Sequence, residues 1–232
     1  MKKTKRSKKI SEIVETLDKV YTIEQAIEYL QKCPKPKFDE SLEISLKLGI
    51  DPKKSDQQVR GTVSLPFGSG RSVKVLVFAK AEKAKEALEA GADYAGADEY
   101  VEKVKNGWME FNAVISTPDM MREVGKLGKI LGPRSLMPTP KAGNVTADVA
   151  KAVKEIKAGK VEFKIDKNGV INTIFGKISF DPKNLIENLR ILLSAITKAK
   201  PSSSKGNYFK SLVISSTMGP GIRIDLQTLS IS

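Results

Sequence analysis

The chain of 232 residues has no histidine and a single cysteine, Cys33. Without imidazole it lacks the commonest general base and the commonest metal ligand, which excludes the usual zinc sites and histidine-based triads. One cysteine cannot close an internal disulfide and suits a reducing compartment. No run approaches the roughly 20 apolar residues of a membrane-spanning helix, and no apolar segment follows the basic first residues as in a secretion signal. Phosphate-binding fingerprints are missing too. There is no G-x-x-x-x-G-K-[ST], and Gly68-Ser69-Gly70 precedes a strand instead of following one, so those glycines read as a flexible connector. The expectation is a soluble, cytoplasmic chain that binds no membrane, metal or cofactor and is not an enzyme.

Negative charge is also scarce. Against 40 Lys and Arg stand 27 Asp and Glu, a formal charge of +13, which argues for a polyanionic partner. Six basic residues and no acid lie in the first nine, and they read as a mobile arm that orders on nucleic acid.

Ile10, Ile13, Val14 and Leu17 recur at helical spacing, and Thr22 with Gln25 forms a capping box ahead of a second helix that Pro34 and Pro36 end. Residues 41–48 alternate without a fault, placing Leu42, Ile44, Leu46 and Leu48 on a core and Ser41, Glu43, Ser45 and Lys47 on an open face. Residues 59–65 are expected to pair as a second strand. After Gly70 the pattern changes to continuous apolar strands alternating with helices, the mark of a doubly wound α/β unit. It includes a helix opened by a capping Thr117 and a last helix over 146–158. The alternating pattern then returns, with a hairpin over 161–180 turning at Asn168-Gly169, a long helix capped by Asp181-Pro182, and strands at 208–215 and 222–229.

Ends with one pattern and a middle with another imply an inserted domain. The predicted fold is α+β in two domains. A discontinuous α+β domain comprises 1–67 and 160–232, and a Rossmann-like three-layer α/β domain is inserted at 68–159. Residues 68–159 hold 15 basic and 12 acidic residues and the rest hold 25 and 15, so most of the surplus lies outside the insert. The two crossings, at Gly68, Ser69 and Gly70 and at Ala158 and Gly159, are expected to form a hinge.

Two stretches carry candidate chemistry. Residues 125–143 are rich in Gly and Pro with four basic side chains and no acid, which fits either a solvated surface loop or a phosphate-contacting one. Residues 215–221 offer three hydroxyls, bare backbone at Gly219 and the pliable thioether of Met218, a surface able to approach ribose 2′-hydroxyls closely. Lys37 and Phe38 could add a cation and an aromatic ring beside it.

Thr217-Met218-Gly219-Pro220, Lys37-Phe38-Asp39-Glu40, Gly49-Ile50-Asp51-Pro52, Val59 to Pro66, Gly91-Ala92-Asp93-Tyr94 and Gly132-Pro133-Arg134 resemble the family of the first protein of the large ribosomal subunit, in its bacterial form. That protein belongs to the mobile stalk beside the tRNA exit site. The resemblance covers nearly the whole chain. It implies the discontinuous domain with its insert, binding to the rRNA stalk, help in releasing deacylated tRNA from the exit site, and repression through the chain's own mRNA. It also implies a monomer when free of the ribosome. Carried over, the RNA-binding residues are Lys37, Phe38, Ser41, Glu43, Asp166, Lys167, Ser211, Thr217, Met218 and Gly219. Ser41 and the Ser215-Ser216 pair stand where the family usually has Thr, keeping the hydroxyls, and Ser135 stands where Gly is usual.

Overall fold

A computed structural model describes residues 5–13, 19–134, 136–140, 143–204 and 206–228. The architecture is α+β, and the chain divides into two compact units, Met1–Gly70 with Val161–Ser232, and Arg71–Lys160.

The first unit is built on a five-stranded sheet. Its strands are β1 (Val20–Tyr21), β2 (Ser41–Leu48), β8 (Val170–Lys177), β9 (Phe209–Ser216) and β10 (Ile222–Ile224), in the order β1-β10-β9-β2-β8. β2 lies between antiparallel partners on both sides, and its alternation puts Leu42, Ile44, Leu46 and Leu48 at no more than 1% exposure. That face is covered by α2 (Ile23–Lys32) and α8 (Pro182–Lys198). Each apolar side chain so buried contributes roughly 1.5–3 kcal/mol relative to exposure. α2 starts at the expected capping box. The Gln25 amide donates to Thr22 Oγ1 at 3.3 Å and the Thr22 amide to Gln25 Oε1 at 3.2 Å. α8 starts with Asp181 accepting from the Lys183 amide at 3.0 Å and Pro182 in its first turn.

Several sequence expectations for this unit need correction. The basic arm is not a bare tail: α1 spans Lys5–Ile13, while Val14 and Leu17, also assigned to that helix, lie outside the described residues. Residues 59–65 do form the expected strand, but outside the main sheet. β3 (Arg60–Ser64) pairs with β7 (Lys160–Lys164) as a separate two-stranded sheet, where Arg60 holds Glu162 at 2.7 Å. The expected hairpin over 161–180 is therefore split, since β7 turns to β3 and β8 to β2, leaving one bridge at Ile165 and Ile171. Gly61 makes the β3–β7 approach close, for a Cβ there would lie 2.7 Å from the Phe163 ring. The last strand stops at Ile224, and a short 3-10 turn follows.

The second unit holds a parallel sheet, β5 (Tyr94–Gly96), β4 (Val75–Phe78) and β6 (Ala113–Ser116), in the order β5-β4-β6. Successive residues of β4 feed opposite cores. Val75 and Val77 pack with Ala87 of α3 (Ala81–Glu89) and Val153 of α7 (Val149–Lys157). Leu76 and Phe78 pack with Val101 of α4 (Asp98–Lys105) and Val124 of α5 (Met121–Gly125). Strands buried on both faces explain the continuous apolar runs. Thr117 makes no side-chain cap; it precedes a 3-10 turn, and its hydroxyl faces the Phe78 carbonyl at 3.5 Å. α7 begins three residues later than expected because Asp148 accepts from the Lys151 amide at 3.1 Å. The 125–143 stretch is partly helical, with α6 at Gly128–Leu131 and Leu127 and Leu131 fully buried. None of the described helices is long and apolar enough to cross a membrane.

Candidate nucleic-acid interface

The sheet face opposite α2 and α8 carries the polar half of β2. Register sets Glu43 beside Ser215, Ser45 beside Val213 and Lys47 beside Ser211 on β9. On β8, Ile174 and Asn172 complete the rows, and the Ser45 hydroxyl donates to Asn172 Oδ1 at 2.7 Å. These side chains are half-buried or exposed. They form a band of hydroxyl, amide and charged groups flanked by Val213 and Ile174.

At one end of the band lie Ser41 and Thr217, tied by three contacts. The Thr217 amide donates to the Ser41 carbonyl at 3.1 Å, the Ser41 amide donates to Thr217 Oγ1 at 3.1 Å, and the Thr217 hydroxyl donates back to the Ser41 carbonyl at 3.3 Å. This tie fixes the turn that follows β9. Gly219 then closes the turn on the Ser216 carbonyl at 3.1 Å. A Cβ on Gly219 would fall 2.3 Å from Ser216 Oγ and 3.5 Å from Leu30 of α2. Thr217 and Met218 project outward, Met218 at 56% exposure, and Phe38 on the neighbouring segment is 53% exposed. Lys37 is exposed as well.

Ser41 does not present a free hydroxyl as the open-face reading expected. It is 6% exposed and its Oγ accepts from Lys177 Nζ at 3.1 Å. Lys177 also donates to the Asp39 carbonyl at 3.1 Å, and the Ser179 hydroxyl to Asp39 Oδ2 at 2.8 Å. Lys177 was not legible from local pattern, because its place beside Ser41 follows only from the β2–β8 register.

At the other end, six residues or about 20 Å along the strand, lies the turn between β7 and β8. Asp166 builds it. Its Oδ1 accepts from the amides of Asn168 and Val170, both at 2.8 Å. Lys167 stands exposed at the tip, and Lys47 Nζ donates to the Asn168 carbonyl. Gly169 takes a φ of 78°, as the turn requires. Lys47 was legible as an open-face cation; its link to this turn was not.

The ten candidate residues thus gather around the two ends of β2. Lys37, Phe38, Ser41, Thr217, Met218 and Gly219 share one end, Asp166, Lys167 and Ser211 the other, and Glu43 lies between them. Among the described residues no cluster of three or more acidic or Cys side chains could hold a metal.

The connector residues are held more firmly than free glycine suggests. Asn188, fully buried in α8, accepts from the Phe67 amide at 3.3 Å and donates to the carbonyls of Gly68 at 3.1 Å and Phe175 at 2.9 Å. Ser69 is 7% exposed, and a Cβ on Gly70 would strike Lys177 Cγ at 2.4 Å. At the other crossing, Ala158 caps α7 through Lys154 at 2.8 Å, and Gly159 has a φ of 101°.

A family model described as the Ribosomal protein L1p/L10e family matches residues 30–220. Over 223 residues the chain is 65% identical to the large ribosomal subunit protein uL1 of Protochlamydia amoebophila (strain UWE25), covering 95% of this chain and 94% of that one. It is 57% identical over 231 residues to the large ribosomal subunit protein uL1 of Chlamydia caviae, covering 99% and 100%. To the protein of that name from Chlamydia pneumoniae it is 56% identical over 231 residues, again covering 99% and 100%.

Proposed function

The chain belongs to the Ribosomal protein L1p/L10e family, and from that premise we propose that it is a structural protein of the large ribosomal subunit that binds the rRNA stalk through the open face of its five-stranded sheet. The observation that carries this is the exposure of Phe38 and Met218, at 53% and 56%, on segments joined by the Ser41–Thr217 tie. Two large apolar groups left in water beside hydroxyls, bare backbone and cations suit the faces of bases and riboses. Lys37 and Lys167 supply phosphate contacts at the two ends. Glu43 and the second oxygen of Asp166 accept from 2′-hydroxyls or base amines. Members of this family are ribosomal proteins and not enzymes, and the chain needs no proton transfer for this task.

The finer reading has three parts. In the ribosome, cytoplasmic in bacteria, the chain helps release deacylated tRNA from the exit site. Outside it, as a monomer, it binds a similar RNA shape in its own mRNA and represses translation. The two compact units are the discontinuous RNA-binding domain and its insert, and they open and close about the crossings. Because Asn188 grips Gly68 and Asn112 holds Lys74, the first pivot falls past Gly70, at residues 71–72, and the second at Ala158 and Gly159.

The decisive test is cosedimentation with large subunits at moderate salt, paired with calorimetry on a stalk stem-loop and on common nucleotides. Cosedimentation and stem-loop binding are expected. Nucleotide binding without stem-loop binding would overturn the assignment. A reporter fused to the chain's own mRNA leader tests repression, and interdomain distances that stay fixed with and without RNA would remove the hinge.

A further inference from the structure

The acid at the head of β2 has an unusual setting. Glu40 is 2% exposed, although it lies one residue before Ser41 in an otherwise wet segment. A buried carboxylate needs a counter-charge, and among the described residues it comes from the far end of the sequence. Arg6 of α1 donates through Nη2 to Glu40 Oε1 at 2.9 Å. The pair sits against the end of α2. Burial raises the Cys33 thiol pKa, and Glu40 raises it further while Arg6 lowers it, so both charges lie close to that sulfur.

This position is the Thr217–Gly219 end of the sheet. Glu40 adjoins the Ser41–Thr217 tie, and Gly219 approaches Leu30 of the same α2 whose C-cap is Cys33. The ion pair therefore fastens a basic helix beside Phe38 and Met218. Arg6 and Ile10 are half-buried, while Lys5, Lys8 and Lys9 are exposed. Lys5 and Lys9 are four apart and share a flank. The first turn of the helix holds no acid, and Glu12 follows in its last turn.

We propose that α1 is a preformed wall of the RNA site, locked by the Arg6–Glu40 pair so that Lys5, Lys8 and Lys9 face the phosphates of the strand seated on Phe38 and Met218. The proposal rests on the RNA-binding reading above. Arg6 and Glu40 are positioning residues, and the three lysines make the contacts. Locking the helix removes the ordering cost that a free arm would meet on binding.

Salt dependence distinguishes this from a merely structural ion pair, because each phosphate neutralised adds close to one unit to the slope of log K against log salt. The test uses the full chain and a stalk stem-loop RNA. Changing Lys5, Lys8 and Lys9 together to Ala is expected to lower the slope by about two to three units. Glu40→Gln and, from the partly exposed side, Arg6→Gln are expected to lower it in the same direction. Arg6→Lys, which keeps the charge, is expected to restore most of it. In the triple-lysine background Glu40→Gln is expected to change the slope no further. An unchanged slope in the triple variant, tighter binding in it, or an affinity loss in Glu40→Gln at constant slope would each overturn the proposal. If the parent fails to bind the stem-loop, the RNA-binding reading itself fails, which is a separate result.

Discussion

Asn188 sits at the centre of a buried helix face and donates its side-chain amide to the Gly68 carbonyl at 3.1 Å. The same side chain holds the Phe67 amide at 3.3 Å and the Phe175 carbonyl at 2.9 Å. One polar residue thus fixes both a strand of the main sheet and the exit of the chain toward the insert. Replacing it by Leu, of similar volume, leaves these three backbone groups without their partner in a dry site. Asn188→Leu is expected to destabilise the chain by roughly 2–4 kcal/mol in denaturant unfolding. A change under about 0.5 kcal/mol would mean that water enters and replaces the amide.

Met218 and Lys167 mark opposite ends of the candidate interface and act through different physics. Met218→Ala removes an apolar contact and is expected to weaken stem-loop binding about tenfold while leaving the salt slope unchanged. Lys167→Ala is expected to weaken binding less and to lower the slope by roughly one unit. Titrations of both variants at several salt concentrations separate the two.

Gly61 lies against the Cζ end of the Phe163 ring. With a Cβ placed 2.7 Å from a ring that is 2% exposed, Gly61→Ala forces the ring or the strand aside. A loss of about 1–3 kcal/mol in thermal or denaturant unfolding is expected. Since the β3–β7 pair lies away from the open sheet face, RNA affinity of the folded variant is expected to stay at the parent's value.

Burial pushes the Tyr208 phenol up to about 12 from its ordinary 10, and its hydroxyl donates to the Ile196 carbonyl at 3.2 Å. The folded chain therefore holds this proton more tightly than the unfolded one. The stabilisation is fully present below pH 10 and is lost as pH rises from 10 through about 12. Stability measured across that range is expected to fall more steeply in the parent than in Tyr208→Phe. Parallel curves would show that the phenol ionises as freely in the fold as out of it.

Much of the fold was legible because it depends on neighbours in sequence. The alternation of residues 41–48, the Thr22–Gln25 capping box and the doubly apolar strand at Val75–Phe78 each state their own structure. What failed was partner choice. Residues 160–164 look as though they should fold back on 170–177 through the Asn168-Gly169 turn. Yet β7 pairs with β3 instead, where Gly61, with no side chain, leaves room for the Phe163 ring.

The same division holds at the interface. The sequence alone determined the +13 charge, the absence of any imidazole, and the Thr217-Met218-Gly219 motif, since composition and local motifs need no folding to exist. Only the tertiary structure decided that Ser41 is buried and held by Lys177, that Asp166 already serves its own turn, and that the supposedly loose basic arm carries a helix fastened by Arg6 to Glu40. Those outcomes depend on strand register and on which charges must leave water, and both are fixed only when residues distant in sequence pack together.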